Sequence, residues 1–265
     1  MELDQDYWAA RYTKEETGWD IGAPSTPLRE YIDQILDKNA RILIPGAGRA
    51  YEAEYAHRSG FTNVFALDYT GEPFGDLLKR CPSFPKEHLL IGDFFAHEGS
   101  YDIILEQTFF CALDPALRDR YVEHMAHLLA PGGRLVGVLF DVVPNPVGPP
   151  FGGTKEEYTQ RFSTHFDHIS FERCHNSIPP RAGRELWMSV KQQKRYEPID
   201  CSLYDHYEAA ATQKDKLRIT MDDGSEHHGV IVDLFIRDKV EWMRLNGGEE
   251  IRLDRIASHR SAKNV

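Results

Sequence analysis

Residues 41–68 read RILIPGAGRAYEAEYAHRSGFTNVFALD. An apolar run stops at a turn holding Gly46 and Gly48, a helical pattern follows, and a second apolar run ends on Asp68. Glycines let the backbone turn tightly and come close to a ligand, and the helix behind them offers unpaired N–H groups and the positive end of its dipole. A carboxylate that closes the next strand can accept from both hydroxyls of a ribose. Together these residues can hold a nucleoside. The alternative is a tight strand-to-helix turn with no ligand, with Asp68 an exposed acid at a strand end.

Such a turn works only inside a fold that lines up strand, helix and strand. Up to residue 190 the pattern alternates in that way: RILIPG, YEAEYAHRSG, NVFALD, YDIILEQ, LRDRYVEHMAHLLAPGG and RLVGVLF. This order predicts an α/β domain with a mostly parallel, Rossmann-like sheet over residues 1–192. Glu106 and Gln107 then stand at the C-terminal end of their strand, where ligands of parallel sheets collect, though ordinary turn residues also fit there. The segment PNPVGPPFGGTKEEYTQRF reads as a loop before a helix, with Thr154 as N-cap and Glu157 completing a capping box. That places Phe151 and Tyr158 either over a pocket or in plain packing.

The pattern changes character around KQQKRYEP. Residues 196–265 carry short strands with DDG and NGG between alternating apolar runs, which are hairpin signals because both turns need residues that accept positive φ. The expectation is a small all-β barrel with one helix around CSLYDHYEAAATQ. Ten Lys and Arg stand against fourteen Asp and Glu there, and the whole chain of 265 residues has a formal net charge of −11. No basic face emerges from the count, so a nucleic acid is not the expected partner. The 41% apolar content suits a globular protein, no stretch is long and apolar enough to span a membrane, and the start MELDQDYWAARYTKEE lacks the pattern of a signal peptide. A cytoplasmic location is expected. Cys81, Cys111, Cys174 and Cys201 form no C-x-x-C pair, which points to reduced thiols and no zinc site.

A Gly92-Asp93-Phe94 turn follows the third apolar run. With it the chain resembles class I S-adenosylmethionine-dependent methyltransferases, in which an acid and an aromatic at this place receive the adenine. YWAARYTKEETGWDIGAPSTPL, LIPGAGRAYEAEYAHRSGFTNVFALD, QTFFCALDPALRDRYVEHMAHLLAPGGRL and GPPFGGTKEEYTQRF together resemble the thiopurine S-methyltransferase family, particularly its thiol and halide branch, over residues 7–190. One departure is Ala50, where many methyltransferases carry a third glycine.

The resemblance implies S-adenosylmethionine as cofactor, held by Gly46, Gly48, Asp68, Asp93 and Phe94, with Glu106 and Gln107 along the methionine moiety. It also implies Trp19 beside the sulfonium, where a cation–π contact contributes about 0.5–2 kcal/mol. Trp8 stands behind it, with packing in an amphipathic helix as the stronger alternative. Tyr158 falls on the substrate side with Phe151. NSIPPRAGRELW matches the family's last strand pair, and its Arg181 or Arg184 could steer an anionic acceptor or form a surface ion pair.

Methyl transfer from a sulfonium is an in-line displacement, and a soft anion such as a thiolate needs alignment and dryness more than a base. No catalytic base is nominated. Cys111 sits among Phe109, Phe110 and Leu113, an apolar setting that raises a thiol's pKa and makes it a packing residue rather than a nucleophile.

The tail, YEPIDCSLYDHYEAAATQKDKLRITMDDGSEHHGVIVDLFIRDKVEWMRLNGGEEIRLDRIAS, is similar to the Rho-binding antiterminator proteins, which have an Sm-like barrel with a helix in front. The resemblance implies a protein partner, Rho; it transfers no residue-level motif, and the acidic residues near the helix, Asp200, Asp205 and Glu208, are the candidate contact surface. The preferred alternative is an oligomerisation or docking module. His227 and His228 are adjacent on a strand and point to opposite faces, which disfavours a shared metal ion. The reading is therefore a two-domain methyltransferase acting on a small soft nucleophile, first of all a thiol. The rival is an S-adenosylmethionine-sensing regulator that binds Rho or another protein through its barrel.

Overall fold

Four short parallel strands set the frame: β1 (Ile42–Pro45), β2 (Val64–Asp68), β3 (Leu89–Ile91) and β4 (Tyr101–Gln107). β5 (Leu129–Phe140) extends them in parallel, β7 (Glu185–Lys191) runs antiparallel beside it, and β6 (His168–Arg173) pairs antiparallel with β7 at the edge, in the order β3-β2-β1-β4-β5-β7-β6. The computed structural model describes residues 3–142, 145, 147–166, 168–191, 198–222, 224–237 and 239–261. The expected change near KQQKRYEP falls largely on 192–197, outside the described residues.

All four residues of β1 are buried because the sheet is covered on both faces. Ile42 and Ile44 point into one core with Val64 and Ala66, while Leu43 points into the other with Ile104 and Leu135. The first core is roofed by α2 (Thr26–Gln34), α3 (Tyr51–Arg58) and α4 (Phe74–Arg80). Leu28 and Ile32 of α2 fall one turn apart and are fully buried. The second core is roofed by α5 (Arg118–Leu128), through Tyr121, Val122, Met125 and Leu128, and by α6 (Lys155–Phe162), through Tyr158 and Phe162. α1 (Gln5–Thr13) buries none of its residues, so Trp8 does not pack in a core as expected.

Thr154 caps α6 by accepting from the Glu157 N–H at 3.3 Å. The capping box is only half made, because Glu157 pairs with Arg118 and Arg161 instead. The segment NSIPPRAGRELW is not a strand pair: it is the β6–β7 connection, with a 3-10 turn at Pro179–Arg181, and only its end enters β7.

Residues 1–194 and 195–265 form two compact units. In the second, β8 (Lys216–Met221), β9 (Glu226–Arg237), β10 (Val240–Leu245), β11 (Glu250–Arg252) and β12 (Ile256–Ser261) form an antiparallel barrel-like sheet in the order β11-β10-β9-β8-β12. α7 (Cys201–Gln213) covers its core with Tyr207 and Ala210. NGG turns β10 into β11 with Gly248 at φ +94°. DDG joins β8 to β9 with Gly224 at φ +86°, its Asp223 lying outside the described residues. Asp200 caps α7 by accepting from the Ser202 N–H, while Asp205 and Glu208 are exposed on it.

Candidate functional site

A cavity of about 1160 Å³ opens at the C-terminal ends of β1, β2 and β4. It is large enough for a nucleoside and a second small molecule together. From the Pro45–Ala50 turn, Gly46 lines it. Gly46, Gly48 and Ala50 all take left-handed backbone, at φ +58°, +53° and +56°. Ala50 therefore adopts the conformation that a third glycine would take, and it does so fully buried as the N-cap of α3.

Asp68 is 9% exposed and reaches the cavity wall. Its carboxylate accepts from the Gly48 N–H at 2.8 Å and from the Thr70 N–H at 3.3 Å. Burial pushes its pKa up to about 6, and the backbone hydrogen bonds from Gly48, Thr70 and Tyr69 oppose the rise. Each oxygen keeps a further lone pair for a hydroxyl donor. Gly48 itself does not line the cavity; it orients Asp68. Phe94 and Gly92 lie on the wall beside Asp68. Asp93 is exposed and off the wall, where it caps the 3-10 turn at Phe94–Ala96 by accepting from Phe95 N–H and also accepts from the Tyr69 hydroxyl.

Opposite the glycine turn stands the N-terminal segment. Trp8 and Trp19 both line the cavity, their rings edge to face with centroids 5.5 Å apart. Trp19 packs the same way on Tyr12 at 5.9 Å. Tyr12 covers Gly48 so closely that a Cβ there would stand 2.9 Å from its Oη. Arg49 pairs with Asp20 at 2.8 Å and with Asp76 at 2.6 Å, which fastens the Trp19 turn to the start of α3.

An apolar stretch of the wall is made by Phe109, Leu113, Leu117, Phe140, Pro149 and Pro150, with Cys111, Asp114 and Arg181, and Asp4, Arg11 and Glu16 line it from the N-terminal segment. Cys111 is buried, donates to the Thr108 carbonyl at 3.0 Å, and has its pKa raised by desolvation, consistent with a packing thiol. Arg118, 2% exposed, anchors the loop above by donating to the Gly152 carbonyl at 2.9 Å and pairing with Glu157 at 2.8 Å.

Several expected residues stand elsewhere. Glu106 is fully buried behind the wall, accepts from the Phe110 N–H at 2.8 Å, and is pushed up to about 8 by desolvation, so it stays protonated at neutral pH. It sets the 3-10 turn at Phe110–Ala112 and does not face the cavity. Gln107 is also off the wall, its Oε1 buried without a partner among the described residues. Tyr158 is fully buried against Phe110 and Phe171 and donates to the Phe140 carbonyl at 2.6 Å. Phe151 is buried too, and the loop presents Pro149 and Pro150 in its place. Arg184 is exposed and off the wall, whereas Arg181 is on it.

Sequence reasoning passed over Tyr12, Arg49, Phe109 and Arg118. For Tyr12 a signal existed, since it lies one helical turn from Trp8. For Arg49 and Arg118 the partners are far along the chain and leave no local trace.

Residues 3–196 match the model of the thiopurine S-methyltransferase family, and residues 198–264 match that of the modulator of Rho-dependent transcription termination. The chain is 29% identical to the probable thiol methyltransferase 2 of Arabidopsis thaliana over 184 residues, 67% of this chain and 81% of that one. It is 26% identical to thiocyanate methyltransferase 1 of the same plant, over 69% and 83% of the two chains. With the thiopurine S-methyltransferase of Acinetobacter baylyi it shares 22% over 62% and 86%. Among solved structures, the 1,6-didemethyltoxoflavin-N1-methyltransferase of Burkholderia thailandensis, bound to its substrate and S-adenosylhomocysteine, superposes with a TM-score of 0.59 at 19% identity, covering 72% of this chain and 87% of that one.

Proposed function

We propose, from the premise that this chain belongs to the thiopurine S-methyltransferase family and is an S-adenosylmethionine-dependent methyltransferase, that its acceptor is a thiol taken up as the thiolate. The observation that carries the reading is the make-up of the cavity lining: among the described residues it holds no His and no Lys, and its carboxylates other than Asp68 are engaged, Asp4 by the Tyr7 N–H, Asp114 by the Ala116 N–H and Glu16 by Arg11. With those carboxylates engaged and no His or Lys beside them, the lining suits an acceptor that arrives already anionic and soft, and an aromatic thiol does so at neutral pH. The thiol and thiocyanate methyltransferases among its relatives support the same class.

Bound in the cavity, S-adenosylmethionine supplies an electrophilic methyl on a sulfonium. The residues present fit it: left-handed Gly46 brings backbone close, Asp68, oriented by the Gly48 N–H, offers acceptors to a ribose, and Phe94 stands on the wall for an adenine. Trp19 and Trp8 stand for the sulfonium as cation–π faces. Phe109, Phe140 and the Pro149–Pro150 corner exclude water and align the acceptor, a contribution of about 7–11 kcal/mol in well-ordered sites. Calorimetry with S-adenosylhomocysteine followed by turnover on thiophenol, glutathione, iodide and thiocyanate tests the reading. Turnover restricted to the inorganic anions would overturn the thiol assignment.

The match of residues 198–264 favours a second reading, in which the barrel carries the chain to a protein partner such as Rho. Retention of Rho by the immobilised full chain tests it, and no binding at micromolar concentration would count against it.

A further inference from the structure

Among the described residues two guanidinium groups line the cavity: Arg11, held within the N-terminal segment by Tyr7 and Glu16, and Arg181, two of whose nitrogens are engaged at the β6–β7 connection. Its Nη2 donates to the Trp19 carbonyl at 2.7 Å, across 162 residues of sequence. Its Nη1 lies 3.6 Å from the carboxylate of Glu185, which is 3% exposed, and its side chain is 11% exposed. The guanidinium also sits 5.6 Å from the Phe140 ring centroid. The Trp19 turn is thus held from two sides: by Arg49 through Asp20 at the glycine turn, and by Arg181 at the β6–β7 connection. α1 has no fully buried residue, so these two fasteners, together with Tyr12 packed over Gly48, hold the N-terminal wall in place.

We infer that Arg181 is a positioning residue, which locks the Trp19 turn over the cofactor, and not a receptor for an anionic group on the acceptor. The inference rests on the methyltransferase reading of the cavity. A guanidinium already paired with a buried carboxylate and a carbonyl has little charge left to offer an anion. Losing it frees Trp19, and with Trp19 the edge-to-face contacts to Trp8 and Tyr12.

Arg181→Met in the full chain separates the two roles. Positioning predicts that S-adenosylhomocysteine binds on the order of tenfold more weakly, the loss of one charge-assisted hydrogen bond. It also predicts that kcat/KM falls by the same factor for thiophenol and for 4-mercaptobenzoate. Anion reception predicts unchanged S-adenosylhomocysteine affinity and a loss confined to the carboxylated thiol, and that result would overturn the inference. Should Arg181→Met fail to fold, Arg181→Lys serves, since an ammonium cannot span Trp19 and Glu185 together. Wild-type affinity in the Lys variant overturns the inference, and weakened affinity with equal loss on both thiols supports it. A wild-type protein that binds no S-adenosylhomocysteine would overturn the reading of the cavity itself, before any variant is compared.

Discussion

The ring of Phe109 lies against Gly46 so tightly that a methyl group built on the glycine would collide with it. The glycine turn is thus shaped as much by a neighbouring aromatic side chain as by a ligand. Thr108, at φ +62°, bends the chain after β4 to bring that ring over, and the Glu106 carboxyl holds the next N–H in place.

Gly46→Ala is expected to cost about 2–4 kcal/mol, from a left-handed alanine and an overpacked Phe109. Urea titration measures it. A double variant with Phe109→Ala should relieve the overpacking part but not the backbone part, and wild-type stability in Gly46→Ala alone would show that the contact is soft.

Asp68 has its pKa raised to about 6 by burial, so between its unfolded value near 4 and pH 6 the folded chain holds the extra proton and stability falls as pH rises. Ligand binding runs the other way, because the ribose needs the charged acceptor. S-adenosylhomocysteine affinity should drop below pH 6, and in Asp68→Asn that pH dependence should vanish. Asp68→Ala should abolish methyl transfer; turnover at the wild-type rate in that variant would remove the ribose assignment.

Glu106, raised to about 8, contributes stability that is present at low pH and lost as pH rises toward 8. Glu106→Gln keeps the acceptor for the Phe110 N–H and removes the titration. Melting temperatures from pH 6.5 to 8.5 should fall for the wild type and stay flat for the variant. Equal slopes would mean that Glu106 is ionised throughout.

Tyr158→Phe should lower stability by about 1–3 kcal/mol, because the Phe140 carbonyl loses a buried donor. The KM for a thiol should hardly change. A large rise in KM with stability intact would return Tyr158 to the acceptor pocket.

Much of the frame was legible because it is local. Alternation of apolar runs and helical stretches announced β1, α3, β2, β4 and α5, and the N-cap at Thr154 and the helix α7 follow from side-chain chemistry within a few residues. The glycine turn and Asp68 were readable for the same reason, since strand ends in a parallel sheet converge on one edge.

The alternating sheet, the glycine turn after β1 and the family could be read from short stretches of sequence. Which side chains face the cavity was decided only by the tertiary structure. Tyr158 and Glu106 left the wall because core packing and a buried N–H claimed them; Trp8 and Phe109 joined it, and of the two candidate arginines Arg181 stands on it and Arg184 does not. Such contacts depend on where strands bring distant residues together, a quantity that no local spacing encodes.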